Sequence, residues 1–453
     1  MKKTLTTILC LLLIAVLSLT LFACGSKEEK PQLEKKAPVS QFKAKGEWPT
    51  INDPLSWEDI NSYPIKTSTM AIDDARQLCV DFFRYSKTAC WIPDENFTHW
   101  HNSEMTNEFT QEAGKIYGGV PYIPVASGNI YRLMDFMDEE KGVVDISEIT
   151  INPKLYGNQC SIGSYWGWAR VINSPVDYSW TEGMVQSQGF LRVGPYTYDE
   201  NAVSWSDAYR TTAVTEQNGE QTMFESYALL KKGDGIVYFT TAGHVVMIAE
   251  DAVVVRNADG TINGGSSYVK VIDQTPTWLE NTNAAGDKYL YEKNVDAKWD
   301  FNTLLERYVP FTYAEWTGEN PIEQTEVLMA IGTATKIEGK ITENAERKFE
   351  TGSAVPKTLS SADLFKTTIA SNYGISDVYC TVYDEVGNEV YKTVTRAGMA
   401  GRYELKFSKT PGNAYFWGVL EELPKDGKYT AKIEVQLGTG ERPVLWEGEF
   451  TIA

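Results

Sequence analysis

Histidine is scarce in this chain. Only His99, His101 and His244 occur in 453 residues, so chemistry that needs an imidazole has few candidates. A basic cluster is missing as well. Lys and Arg number 42 against 61 Asp and Glu, a formal charge of −19, and no basic run interrupts that balance, which argues against phosphate-driven nucleic-acid binding. A Gly-rich phosphate loop and a dinucleotide fingerprint are both lacking. Cysteine is sparse too: of six, Cys10 and Cys24 lie in the N-terminal segment, which leaves Cys79, Cys90, Cys160 and Cys380.

The N-terminal segment follows a pattern of its own. Lys2 and Lys3 precede an uncharged apolar run from Ile8 to Phe22, too short for a spanning helix but suited to a signal-peptide core. It closes on Leu21-Phe22-Ala23-Cys24, which resembles the lipobox of bacterial lipoproteins. The resemblance implies removal of residues 1–23, a lipid on Cys24 that anchors the chain to the membrane, and a location on the outer face of the cell membrane. Residues 24–50 are polar, proline-containing and aperiodic. Such a stretch cannot bury a core and reads as a flexible tether.

The remaining length favours two or three domains. Residues 51–325 form an aromatic-rich region whose first quarter has helical periodicity and whose second half has strand patterning. Glu319 to Thr325 is the expected join. Residues 326–453 are patterned wholly as strands, at Val378 to Tyr383, Val390 to Val394, Tyr403 to Phe407, Tyr429 to Leu437 and Leu445 to Ile452. Within this part Asp426-Gly427-Lys428-Tyr429 resembles the tyrosine corner of an immunoglobulin-like β-sandwich, without the paired cysteines of antibody domains. Cys79 shares a helical face with Ala75, Leu78 and Phe82, and Cys380 alternates with Val378 and Val382, so both read as core residues. Spacing leaves open whether Cys79 and Cys90 are bridged.

Cys160 has a different setting. Tyr165, Trp168, Ala169 and Ile172 keep helical spacing after it, which places Cys160 at or just before a helix N-terminus. There the helix dipole and free backbone N–H groups favour a thiolate. Downstream, Gly233-Asp234-Gly235 leads into the apolar run Ile236 to Phe239, and Thr240 to Gly243 then turn into His244-Val245-Val246. That pattern predicts a β-hairpin with His244 opening its second strand.

A helix-opening cysteine, a "Leu-x-x-Gly-Asp" turn before one strand and "Gly-His-Val" opening the next are together similar to the NlpC-type and CHAP-type cell-wall cysteine peptidases and amidases. The similarity spans roughly Glu112 to Gln274, about a third of the chain, and includes Tyr117-Gly118-Gly119, which resembles the family's Tyr/Trp-Gly-Gly stretch. It implies an α+β fold with a papain-like domain that carries the cysteine on a helix and the histidine on an antiparallel sheet, followed by an all-β immunoglobulin-like sandwich. It also implies Cys160 as nucleophile, His244 as base and a third polar group after the next strand, Tyr268 to Ile272. Asp273 is the first candidate for that group and Gln274 the alternative. Substrate contacts are expected from Tyr117, Gly118, Gly119 and Trp166. The chain departs from the family in having Gln159-Cys160-Ser161-Ile162 where Asp-Cys-Ser-Gly is usual, and in the long stretch from Ile123 to Asn158 before the cysteine.

The implied reaction is thiolate attack on an amide carbonyl, through a thioester, with His244 carrying the proton. The implied partner is peptidoglycan or a related cell-wall peptide, and no cofactor is required. His99-Trp100-His101, near Asp94 and Glu95, lacks a third ligand at recognisable spacing, so no metal site is expected. The rival class is a binding protein: 13 Trp and 25 Tyr could hold glycan or peptide by stacking on an inactive papain-like scaffold.

Overall fold

The computed structural model describes residues 47–453 apart from 103, 125–127, 150–155, 174–180, 182–190, 200–209, 293, 332–335, 339–347, 351–355, 397–401, 409–413 and 416–422. The expected signal peptide, Cys24 and nearly all of the tether lie outside these residues. Among the described residues, no helix is long and apolar enough to cross a membrane.

Helix α1 (Ile72–Thr88) forms where the apolar residues recur at helical spacing. It buries Ala75, Leu78, Cys79, Phe82 and Phe83, and each large side chain so removed from water contributes about 1.5–3 kcal/mol. Asp73 and Asp74 stand in its first turn, where carboxylates favour the helix dipole. Helix α2 (Ile130–Asp135) is capped by the Asn129 side chain, which accepts from the Arg132 N–H. Helix α3 (Cys160–Trp168) is buried throughout. It can lie flat on its neighbours because Gly167 has no side chain: a Cβ there would come within 2.7 Å of Met247 Cε and 3.0 Å of Phe83 Cβ.

Helices α1 and α3 pack on an antiparallel sheet built from β1 (Leu191–Arg192), β2 (Gly235–Phe239), β3 (Gly243–Val253), β4 (Tyr268–Ile272), β5 (Val295–Asp300) and β6 (Val309–Thr312), in the order β5-β4-β3-β2-β6-β1. The hairpin expected before His244 is β2–β3, with Tyr238 opposite His244 and Phe239 opposite Gly243. One continuous core joins Leu78, Cys79 and Phe83 of α1 to Val245, Val246 and Met247 of β3 and to Ile272 of β4. A second, mixed sheet contains Cys90–Pro93, Tyr117–Gly118 and Lys288–Glu292. The described residues thus combine helices with predominantly antiparallel sheets, compatible with an α+β fold.

The Gly233-Asp234 turn owes its residues to this packing. Gly233 adopts φ +79°, a conformation that disfavours any side chain, and its carbonyl accepts from Trp168 Nε1 at 2.8 Å and Trp316 Nε1 at 3.1 Å. Asp234 is buried, paired with Arg76 at 2.8 Å, and accepts from Thr312 Oγ1. Burial pushes its carboxyl pKa up, against the pull of Arg76. The motif therefore bolts β2 to α1 and α3.

The C-terminal part contains β7 (Val327–Ile331), β8 (Thr367–Tyr383), β9 (Glu389–Arg396), β10 (Arg402–Ser408), β11 (Tyr429–Leu437) and β12 (Val444–Thr451). The N-terminal half of β8 pairs with β7 and β10, and its C-terminal half pairs with β9 and β11. Patterning alone suggests a strand only from Val378, yet β8 begins at Thr367. The buried polar residues Thr367, Thr368, Ser371, Asn372 and Asp377 conceal its alternation. Val378, Cys380 and Val382 enter the local core with Ile433, Val435 and Leu437. The alternate residues meet α2: Asp377 pairs with Arg132 at 3.0 Å, and Tyr379 donates to Asp135, which also holds Arg442 at 2.9 Å. At the expected corner, the Tyr429 hydroxyl donates back to the Pro424 carbonyl at 3.0 Å. The join is tied to both sides, since Glu323 accepts from Asn173 Nδ2 at 2.7 Å and from the Tyr373 hydroxyl at 2.9 Å.

Candidate active site

Cys160 is the first residue of α3. The chain before it is extended: Gln159 has φ −95° and ψ 178° and its carbonyl accepts the Gly163 N–H at 2.8 Å. Asn158 donates its N–H to Pro121 at 2.9 Å and accepts from Ile123 at 3.1 Å, which fixes where the helix starts. As a first-turn residue, Cys160 has a backbone N–H outside the i→i−4 ladder.

His244 lies near the start of β3, and its imidazole meets two partners. Nε2 donates to Asp273 Oδ2 at 2.6 Å. The Cys160 thiol lies close enough to the imidazole to act on it electrostatically and as a hydrogen-bonding group. Exposure falls along the series: the His244 side chain is 17% exposed, Cys160 8% and the Asp273 side chain 1%. The imidazole is thus partly exposed, whereas Cys160 and the Asp273 carboxylate are buried.

Burial works against a charged His244, but the Cys160 charge and the hydrogen bonds from Cys160 and Asp273 outweigh it. The imidazole pKa stands well above the ordinary histidine value.

Asp273 is held by Asn294, a residue that sequence patterning does not single out. Asn294 Nδ2 donates to Asp273 Oδ2 at 3.1 Å, and its carbonyl accepts the Asp273 N–H at 3.0 Å. Asn294 sits at φ +67° beside a register shift between β4 and β5. Asparagine is among the few non-glycine residues that enter this region readily, and that is the one local signal it carries.

The remaining expected residues fall into place differently. Gln274 is turned away from His244: its Nε2 donates to Val120 O at 3.1 Å and its Oε1 accepts from Lys87 Nζ. Asp273, not Gln274, therefore orients the imidazole. Tyr117, expected to touch substrate, is 1% exposed, packs tilted against Trp91 and edge-on to Trp278, and its hydroxyl accepts the Glu112 N–H at 2.7 Å. A Cβ on Gly118 would strike the Tyr289 ring and one on Gly119 would strike the end of α1. All three residues are buried, and the space beside the two glycines is filled by their neighbours. Trp166 is also buried, edge-on to Tyr165 and within reach of Gly438. On α3 it is six positions after Cys160, hence on another face of the helix.

His99 and His101 lie on a separate hairpin among Phe97, Phe109 and Trp278. Among the described residues no three His, Cys, Asp or Glu side chains converge as a metal site would require. Cys79, Cys90, Cys160 and Cys380 are all free thiols.

A wall of aromatic side chains adjoins His244. The Tyr238 ring centre lies 6.2 Å from the imidazole and 5.1 Å from Tyr308, and Trp299 is 5.5 Å from Tyr308. The Tyr308 phenol pKa is raised by burial first, and then by the charges of Tyr238, Asp273 and Cys160 against the opposing pull of Arg307, so it lies within electrostatic reach of Cys160 and Asp273.

Compared with known proteins, the chain matches no family model, and no curated protein matches it significantly.

Proposed function

We propose that the protein is a cysteine hydrolase that cleaves an amide in cell-wall peptide, with Cys160 as nucleophile, His244 as acid–base and Asp273 as the orienting group. The observation that carries this reading is the convergence of Cys160 and Asp273 on the one imidazole of His244, with Asp273 Oδ2 2.6 Å from Nε2 and the Cys160 thiol acting on the same ring, which a binding-only scaffold has no need to maintain. With it we propose a papain-like relationship for residues 51–325, an immunoglobulin-like sandwich for residues 326–453, and lipid anchorage through Cys24 facing the wall.

The chemistry follows from the groups present. The Cys160 proton rests on His244, and the sulfur adds to the amide carbon, forming C–S as the C=O π pair moves onto oxygen. The Cys160 N–H, free of the helix ladder, donates to that oxyanion; such a donor is worth about 3 kcal/mol in the transition state. Collapse breaks C–N as His244 gives its proton to the leaving amine. Water then adds to the thioester with its proton taken by His244, and the carboxylate leaves as the thiol is restored.

The test is release of new amine termini from purified peptidoglycan. Wild type should release them; Cys160→Ala and His244→Ala should each abolish release, and the double variant should be little worse, since the two groups act as a unit. Equal release by wild type and Cys160→Ala would end the hydrolase reading. Wall binding without any release would favour a binding module instead.

A further inference from the structure

Arg307 is an exposed cation at the mouth of the site in a strongly acidic chain. Its guanidinium carbon lies 4.5 Å over the Tyr238 ring and 6.0 Å from the Tyr308 ring. Tyr238 is the ring that adjoins His244. Five other arginines are matched with acids, Arg76 with Asp234, Arg84 with Asp296, Arg132 with Asp377, Arg256 with Glu225 and Arg442 with Asp135, whereas Arg170 is buried against the Tyr131 hydroxyl and the Phe82 ring. Arg307 is stacked on aromatic faces and has no acid partner among the described residues. Stacking orders the planar fork while leaving its N–H donors in solvent, and a preorganised fork loses less entropy on gripping a carboxylate bidentately.

We propose that Tyr238, Trp299 and Arg307, with the buried Tyr308 ring packed behind them, form a substrate subsite, and that the preferred substrate carries a carboxylate close to the amide that is cut. The aromatic shelf would carry the apolar part of that substrate unit while Arg307 binds its charge. This inference rests on the hydrolase reading, and it assigns Arg307 to specificity, not to the chemical steps.

Two measurements separate its failure from failure of that reading. The first compares alkylation of Cys160 by iodoacetate, an anion, and by iodoacetamide, its neutral analogue. In wild type the iodoacetate to iodoacetamide rate ratio should exceed that of Arg307→Gln by roughly threefold to tenfold, and the excess should shrink at high salt. Arg307→Glu should lower the ratio further. Arg307 is exposed, so none of these changes threatens the fold. An unchanged ratio with Cys160 still reactive would overturn the subsite while leaving the nucleophile intact. Inertness of Cys160 to both reagents would instead strike the hydrolase reading. The second measurement covers that case, by titrating Cys160→Ala protein with a short peptide pair bearing glutamate or glutamine beside the amide. Preference for the glutamate peptide, lost in Cys160→Ala/Arg307→Gln, supports the subsite; equal affinity overturns it.

Discussion

Asn294 grips Asp273 twice, by its side chain at 3.1 Å and by its carbonyl at 3.0 Å. Only the first contact depends on the residue type. Asn294→Gly keeps the φ of +67° accessible and removes the amide donor, whereas Asn294→Ala removes the donor and adds backbone strain of about 1–2 kcal/mol. Losing a hydrogen bond to a charged group costs about 1.5–3 kcal/mol. If that cost falls on the transition state, kcat/KM should drop roughly tenfold or more in both variants. Thermal unfolding should separate them, with Asn294→Ala clearly less stable. A glycine variant with full activity would reduce Asn294 to a turn residue.

The pH profile should carry the mark of the His244 pairing. Because His244 has a raised pKa, the imidazolium needed to protonate the leaving amine persists above the ordinary histidine range near 6.5. The basic limb of kcat/KM should therefore lie above that value, and Asp273→Ala should move it downward. The same shift contributes stability that is complete below the unfolded-state pKa and is lost as pH rises through the folded-state value. Proton NMR of the His244 ring in wild type and Asp273→Ala protein reads both effects directly. A ring that titrates at its unperturbed position in the two proteins alike would rule out the pairing.

Much of this site could be read in the sequence, for definite reasons. Cys160 and His244 each stand at the boundary of a strongly periodic element, and periodicity is what a linear pattern records. Asp273 and Gln274 could not be separated that way, since adjacent residues past a strand end point in directions that only their partners decide. Lys87 and Val120 occupy Gln274. Asn294 escaped notice because its role comes from a register shift between paired strands. Tyr117, Gly118 and Gly119 misled for a related reason: aromatic and glycine residues serve close packing as often as ligand contact, and here Tyr289 and α1 fill the space.

His99 should make the protein acid-sensitive. It is fully buried, and burial, reinforced by His101, lowers its pKa to about 4 against the opposing pull of the Trp100 carbonyl. The unfolded chain binds that proton near pH 6.5, so stability is fully present above that value and falls as pH drops toward 4. Between pH 7 and 4.5 the loss should be on the order of 2 kcal/mol. His99→Phe, which suits the neighbouring Phe97 and Phe109, should flatten that dependence. Urea unfolding at the two pH values provides the comparison, and an equally steep loss in the variant would move the effect to other groups.

The C-terminal sheet should influence the nucleophile through Gly440. This glycine has φ +90°, and a Cβ there would lie 1.7 Å from Arg170 Nη1. Arg170 is fully buried two residues beyond α3; it donates to the Tyr131 hydroxyl at 2.6 Å and lies 4.6 Å over the Phe82 ring. It cannot yield without disturbing the end of the helix that Cys160 begins. Gly440→Ala should therefore cost well over the 1–2 kcal/mol of backbone strain alone, and it should also slow Cys160 alkylation. Gly387 supplies the control. It shares the C-terminal sheet and a φ of +88°, but a Cβ there meets nothing within 4 Å, so Gly387→Ala should show the strain and leave the thiol untouched. Thermal melts and iodoacetamide kinetics on the two variants decide the matter. If Gly387→Ala slows the thiol as much as Gly440→Ala does, general destabilisation is the cause and the contact through Arg170 is not.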